Sequence, residues 1–125
     1  MSESRCIFWK GLSLILSYFS LGFGKSSGEF AIRYYAKNLQ SRGINANTII
    51  PGVVNTEAWN GYLKTVGPKL GISTRDELME FMCKKTGQKK ILQPSDIGKV
   101  ATFLCKDGKC ITGMSINADG GIHLG

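Results

Sequence analysis

From residue 25 to residue 42 the apolar positions recur at helical spacing. Phe30, Ala31, Tyr34, Tyr35 and Leu39 fall at one-, three- and four-residue steps and predict one buried stripe. Lys37 and Arg42 sit where cations complement the C-terminal end of a helix dipole, and Gly43 follows as a natural stop. Residues 44–50 then read as a strand that enters a turn at Pro51-Gly52, with 53–56 as loop. A helix joined to a strand through a link this short is an ordinary αβ connection.

The flanking segments are less decided. Residues 5–9 form a short apolar run with strand character. Residues 12–19 suit either a buried strand or a short apolar helix, and periodicity does not choose between them. Gly61, Gly67, Pro68 and Gly71 break any pattern over 57–72. Thr74 and Glu77 stand at capping-box spacing and predict a helix start, with Leu78, Phe81 and Met82 as its apolar face. Pro94 opens another helix with Ile97, Val100, Ala101 and Leu104 as its buried stripe, and Gly108 breaks it. Residues 114–118 read as a last strand, followed by an Asp119-Gly120-Gly121 turn. Helices alternating with strands predict an α/β layer built on parallel strands, here only two or three of them.

Composition adds limits. The chain has 125 residues, 42% of them apolar, which suits one globular domain. A net charge of +7 raises nucleic acid or an anionic membrane as partners. The doublets Lys84-Lys85 and Lys89-Lys90 carry that case, but without interleaved aromatics they read as a solvated basic loop, and no nucleic-acid partner is expected. The longest apolar stretch, 12–23, is too short to span a bilayer, so no membrane span is expected. It resembles a signal peptide after Arg5 and Lys10, yet it ends in Gly24-Lys25-Ser26-Ser27 without a small-residue cleavage site. A cytoplasmic chain with reduced thiols is therefore expected. Cys105 and Cys110 stand five apart and His123 is the only histidine, a pattern that predicts no metal site.

Several residues have a functional and a plain reading side by side. Pro51-Gly52 stands at the C-terminal end of a strand, where open α/β sheets bind ligands, and its glycine lets backbone approach a flat ring; it also reads as a surface turn. Thr56 offers a hydroxyl to the same ligand, or caps the next helix. Lys25, placed at a helix start, opposes the dipole, which hints at a local role; it also reads as a solvated lysine. Asp119-Gly120-Gly121 reads as a turn or as a bend around a cleft. Tyr34 and Tyr35 read as core, or as a contact with another subunit.

Taken together and in order, residues 25–125 resemble the C-terminal half of the short-chain dehydrogenase/reductase family. The match is carried by Lys25 with Arg33-Tyr34 and Ala36-Lys37-Asn38-Leu39, by Gly43-Ile44-Asn45-Ala46-Asn47 with Pro51-Gly52-Val53-Val54-Asn55-Thr56, by Pro94-Ser95-Asp96-Ile97 with Phe103-Leu104, and by Ile111-Thr112-Gly113-Met114 with Asp119-Gly120-Gly121. The resemblance implies part of a Rossmann-like, doubly wound parallel sheet and an oxidoreductase that passes hydride between NAD or NADP and a small alcohol or ketone. Lys25 would hold the cofactor ribose and lower the pKa of a neighbouring tyrosine, as the one catalytic residue carried over. Pro51, Gly52 and Val54 would line the nicotinamide, and Thr56 would meet its carboxamide or the phosphates. Residues from Glu57 to about Lys90 would form the variable substrate lid. The helix after the lysine often packs against a second subunit, so a homo-oligomer or a full-length relative is the implied partner.

Two departures qualify this. The family tyrosine stands four residues before the lysine, and here that position is Leu21. Tyr18 lies three residues further upstream and would need a local rearrangement to replace it. The family serine would fall at Lys10 or Gly11, with Ser13 near but off the spacing. Residues 1–24 match poorly, and the Gly-rich phosphate turn of the family's front half has no counterpart. The expectation is a truncated family member, inactive as an isolated chain, with a non-catalytic interaction protein as the alternative.

Overall fold

Residues 6–9 and 18–124 are described by a computed structural model, with side-chain surroundings from Gly28 onward. Three strands, β1 (Cys6–Trp9), β2 (Asn45–Pro51) and β3 (Ser115–Ala118), form a sheet in the order β1-β2-β3. β1 runs parallel to β2, with Cys6 opposite Asn45 and Trp9 opposite Thr48. Bonds from Gly113 N–H to Ala46 O and from Thr48 N–H to Met114 O advance together towards β3, the parallel sense again. The described residues fall into two compact units, Met1–Ile50 with Lys99–Ile116, and Pro51–Gly98 with Asn117–Gly125.

In the first unit, α1 (Tyr18–Leu39) leads into a 3-10 turn at Gln40–Arg42. Gly43 then takes the left-handed φ of 70° and donates to Gln40 O, as the sequence predicted for a helix stop. The helix starts well before residue 25. The ambiguous apolar run is resolved towards helix from Tyr18 on, because a continuing helix satisfies its own backbone groups. Lys25 therefore sits inside α1, not at its start, and the argument from an opposed dipole falls away.

The predicted stripe is also corrected. Ile32 and Ala36, one turn apart, are the buried pair and cluster with Ala46 of β2. Phe30, Tyr34 and Tyr35 are 72%, 60% and 49% exposed, so core packing is not their role. At Ala36 a small side chain is needed because the backbones come close. A Cβ built on Gly113 stands only 3.4 Å from the Ala36 methyl. Large aromatics would hold these elements apart, so the stripe inferred from aromatic spacing is the outward one.

Asn47, 3% exposed, ties β2 to the segment entering β3. Its Nδ2 donates to Ile111 O at 2.8 Å and its Oδ1 accepts from Met114 N–H at 3.1 Å. Asn45 Nδ2 donates to Lys109 O, and Thr112 Oγ1 accepts from Ala46 N–H. A polar side chain in a buried strand is tolerable only when both its ends are paired, as here. Ser115 Oγ donates to Glu29 Oε2 at 3.0 Å, linking β3 to α1.

The second unit holds α2 (Ala58–Leu70) and α3 (Arg75–Lys85), which pack on one another. Residues 57–72, ambiguous in sequence, are thus largely helix. Gly71 closes α2 with a φ of 67°, and its N–H and that of Ile72 both reach Gly67 O. The capping box is present as predicted: Thr74 Oγ1 accepts from Glu77 N–H, while Glu77 Oε2 accepts from the Ser73 and Thr74 N–H groups. These backbone bonds, that from Ser73 first, hold the Glu77 carboxyl below its ordinary pKa. Leu78 and Thr86 are fully buried here. α4 (Pro94–Lys106) shows the expected stripe, half-buried at Ile97, Val100 and Ala101 and buried at Leu104. Among the described residues no helix is long and apolar enough to cross a membrane.

Replacing Asn47 by alanine strands the Met114 N–H and the Ile111 carbonyl. The expected cost is about 2 kcal/mol, read from the midpoint and slope of urea unfolding. A loss within a few tenths of a kcal/mol would mean that water takes over both bonds.

Candidate functional site

The second unit gathers most of the residues singled out by the sequence. Pro51 ends β2, and Gly52 donates its N–H to Ala118 O, the last residue of β3, at 3.3 Å. Both strands therefore deliver their C-terminal ends to one place, the position where open α/β sheets form a ligand crevice. The requirement for glycine at 52 has a specific cause. A Cβ there would lie 2.6 Å from Asp119 O, 2.7 Å from Asp119 Cα and 2.8 Å from Asp119 Cβ. The close approach that the sequence assigned to a ligand ring is made to the backbone of Asp119.

Asp119 is 5% exposed and organises the turn after β3. Its Oδ1 accepts from Gly121 N–H at 2.9 Å, and its Oδ2 lies 2.7 Å from Nδ1 of the half-exposed His123. An ionised carboxylate accepts only, so Nδ1 carries the proton in this pair. Burial pushes the Asp119 carboxyl upward, but the bonds from Gly121 and His123 outweigh it and hold its pKa below the ordinary aspartate value. Gly120 and Gly121 take left-handed φ values of 63° and 81°, which side chains disfavour. Gln88 N–H donates to Gly120 O at 2.9 Å, and a Cβ on Gly87 would stand 3.2 Å from Gly121 O. The basic segment is thus laid against the Asp-Gly-Gly turn. Lys89, at a φ of 52°, folds its Nζ back onto Lys84 O at 2.8 Å.

Beyond Gly52 the chain is not the free loop expected. Val54 forms an isolated parallel bridge with Leu92: Leu92 N–H donates to Val53 O at 3.0 Å, and Asn55 N–H to Leu92 O at 2.8 Å. Val54 O also accepts from Trp59 Nε1 at 2.7 Å. Thr56 is exposed and the N-cap position of α2 falls at Glu57, whose side chain makes no capping bond, so the capping reading of Thr56 does not hold. Arg75, the first residue of α3, donates Nη2 to Asn55 Oδ1 at 2.7 Å and to Thr56 O at 2.9 Å, and Nη1 to Asn60 Oδ1 at 2.7 Å. Sequence reasoning missed Arg75, Trp59 and Asn47. Only Arg75 carried a signal, an arginine at the dipole end that disfavours it.

Pro51, Gly52, Val54 and Thr56 therefore share one short, heavily bonded segment. Lys25 falls in the first unit, within α1, and its side chain lies outside the described residues. Lys10, Gly11 and Ser13, the candidate positions for the family serine, also lie outside them. Tyr18 is the first residue of α1, and its side chain, like that of Lys25, lies outside the described residues. The described residues contain no group of three or more His, Cys, Asp or Glu arranged to hold a metal ion.

A methyl at position 52 must displace the backbone of Asp119. Gly52→Ala is expected to destabilise the chain by about 2 kcal/mol in chemical denaturation. Gly61→Ala is the control: nothing lies within 4 Å of its Cβ, and alanine favours the helix. Equal effects from the two substitutions would refute the steric account of Gly52.

Residues 11–123 match the family model described as enoyl-(acyl carrier protein) reductase. The NADH-dependent enoyl-[acyl-carrier-protein] reductase of Aquifex aeolicus is 31% identical over 108 residues, which is 86% of this chain and 36% of that protein. This chain thus spans about a third of the length of the curated relatives it matches. The crystal structure of a short-chain dehydrogenase family protein from Francisella tularensis superposes with a TM-score of 0.84 at 25% identity, covering 98% of this chain and 52% of that one. The angucycline C-6 ketoreductase LanV, solved with bound NADP, shares the fold with a TM-score of 0.72 at 24% identity, over 98% of this chain and 45% of its own. With the parallel strand order, the Pro-Gly segment and the Asp-Gly-Gly turn all in place, the chain belongs to the short-chain dehydrogenase/reductase family.

Proposed function

We propose that this chain carries the nicotinamide-facing part of an NAD(P)-dependent oxidoreductase of small alcohols and ketones, and that the isolated polypeptide does not turn over. Residues 25–125 correspond in this reading to the C-terminal half of the Rossmann-like domain. The observation that carries it is the segment 51–56, fixed at the C-terminal ends of β2 and β3 by Asp119, Leu92 and Arg75. Its buried side is committed to protein contacts. Pro51 and Thr56 stay exposed, so a flat ring and its carboxamide would meet the Pro51 ring and the Thr56 hydroxyl, with Gly52 and Val54 setting the backbone between them.

The nicotinamide group supplies or takes up the hydride when bound. The protein's part is to orient it and to move a proton at the substrate oxygen. Lys25 would steady the ribose and favour an ionised phenol beside it. Leu21, four residues before Lys25, has no proton to give, and this is the ground for proposing an inert chain. The exposed thiols of Cys105 and Cys110 are compatible with a reducing cytoplasm.

Calorimetric titration with NADH and NADPH, paired with a turnover assay on ketones and an enoyl thioester, tests the reading. Weak nucleotide binding without turnover is the expected result. No binding even at millimolar nucleotide would remove the cofactor role of 51–56. Turnover that Tyr18→Phe abolishes would overturn the inert reading and assign proton donation to Tyr18.

A second reading, an interaction protein that pairs with its own copy, is favoured by α1. Phe30 and Tyr34 are one turn apart and mostly exposed, and Tyr35 meets the Tyr34 ring edge-on at 6.1 Å. An apolar patch on a helix face is a usual subunit contact. Light scattering after size exclusion should show a dimer that Phe30→Glu with Tyr34→Glu converts to monomer. A wild-type monomer at high concentration would remove this reading.

A further inference from the structure

We infer that Arg75 is a positioning residue, a latch that couples the α2–α3 excursion to the segment facing the nicotinamide; this rests on the function proposed above. One guanidinium joins α3 to two other pieces of the second unit, the 55–56 segment and α2. Nη1 reaches Asn60 in α2, while Nη2 reaches the Asn55 side chain and the Thr56 carbonyl. The three distances, 2.7, 2.7 and 2.9 Å, are those of charge-assisted bonds. The planar fork makes this possible, because its donors diverge in one rigid plane towards acceptors on separate elements. A lysine ammonium, a single point at the end of a flexible stem, cannot serve all three at once.

The acceptors are two side-chain amide oxygens and one backbone carbonyl, so no carboxylate takes part in the latch. Its partners do not titrate, and the cationic charge is held beside Thr56 without being neutralised there. The latch is renewed at Trp59, whose indole N–H ties the start of α2 to Val54 O. The capping box of Thr74 and Glu77 brackets Arg75 and fixes the first turn of α3, from which the arginine leaves the helix. Substrate-side helices and cofactor-side segment therefore move as one body while the fork is closed. Opening it releases residues 55–60 first, because they hold the three acceptors.

Residue-resolved amide hydrogen exchange on the whole chain tests this. Arg75→Met should speed exchange of residues 55–60 about tenfold, with strand residues 46–49 and the capped amides of Glu77 and Leu78 unchanged. Arg75→Lys should not rescue the protection. Unchanged exchange at 55–60, an equal rise throughout the chain, or full rescue by lysine would each overturn the latch. NADPH should slow exchange at 55–60 in the wild type and lose that effect in Arg75→Met. Faster exchange in the variant with no NADPH effect in the wild type would sink the cofactor reading and leave the coupling intact.

Discussion

The approach of the Gly52 Cα to the backbone of Asp119 is the constraint around which the second unit is arranged. No side chain fits between them. Because the contact is backbone on backbone, it fixes where β2 ends and where the turn after β3 begins, with little freedom to slide. The turn is then held by its own carboxylate, which gathers Gly121 and His123, and it receives the 87–88 segment through Gly120 O.

The first unit solves a related problem by other means. There α1 lies close to the sheet through small residues, Ala36 against Gly113, and the sheet carries a buried asparagine whose two ends are both used. Asn47 fixes the register between β2 and the chain entering β3, since a slip by one residue would leave its amide unpaired. The outward face of α1 bears the aromatics. They add nothing to this packing, which makes them available for contact with another molecule.

Much of the fold was legible locally. The Gly43 stop, the strand running to Pro51, the capping box at Thr74 and Glu77, the α4 stripe and the turn at 119–121 each rest on residues adjacent in sequence, and each stands in the structure. The stripe on α1 misled, because spacing reports which residues share a face and not which face meets the sheet. The 57–72 segment misled in the other direction. Its glycines fall where a helix tolerates or uses them, at the open position 61 and at the left-handed cap 71. At 51–56 the end of the strand and the turn were readable, while the reason for glycine was not. Arg75 and Leu92 reach that segment from 19 and 38 residues beyond Thr56 and Val54, a separation that no local pattern encodes.

The sequence alone determined the kind and order of most elements, the start of α1 and the helix at 58–70 apart, because capping, turn chemistry and the φ preference of glycine act over a few neighbouring residues. Its ordered motifs, Lys25 with its helix, the Pro-Gly segment and the terminal Asp-Gly-Gly, were also enough to indicate the family. Tertiary structure decided which face of α1 is buried, what fills the space beside Gly52 and which side chain holds 55–56 in place. Those outcomes depend on surfaces brought together from distant parts of the chain, where a methyl group too many or an unpaired amide settles the matter through packing and desolvation.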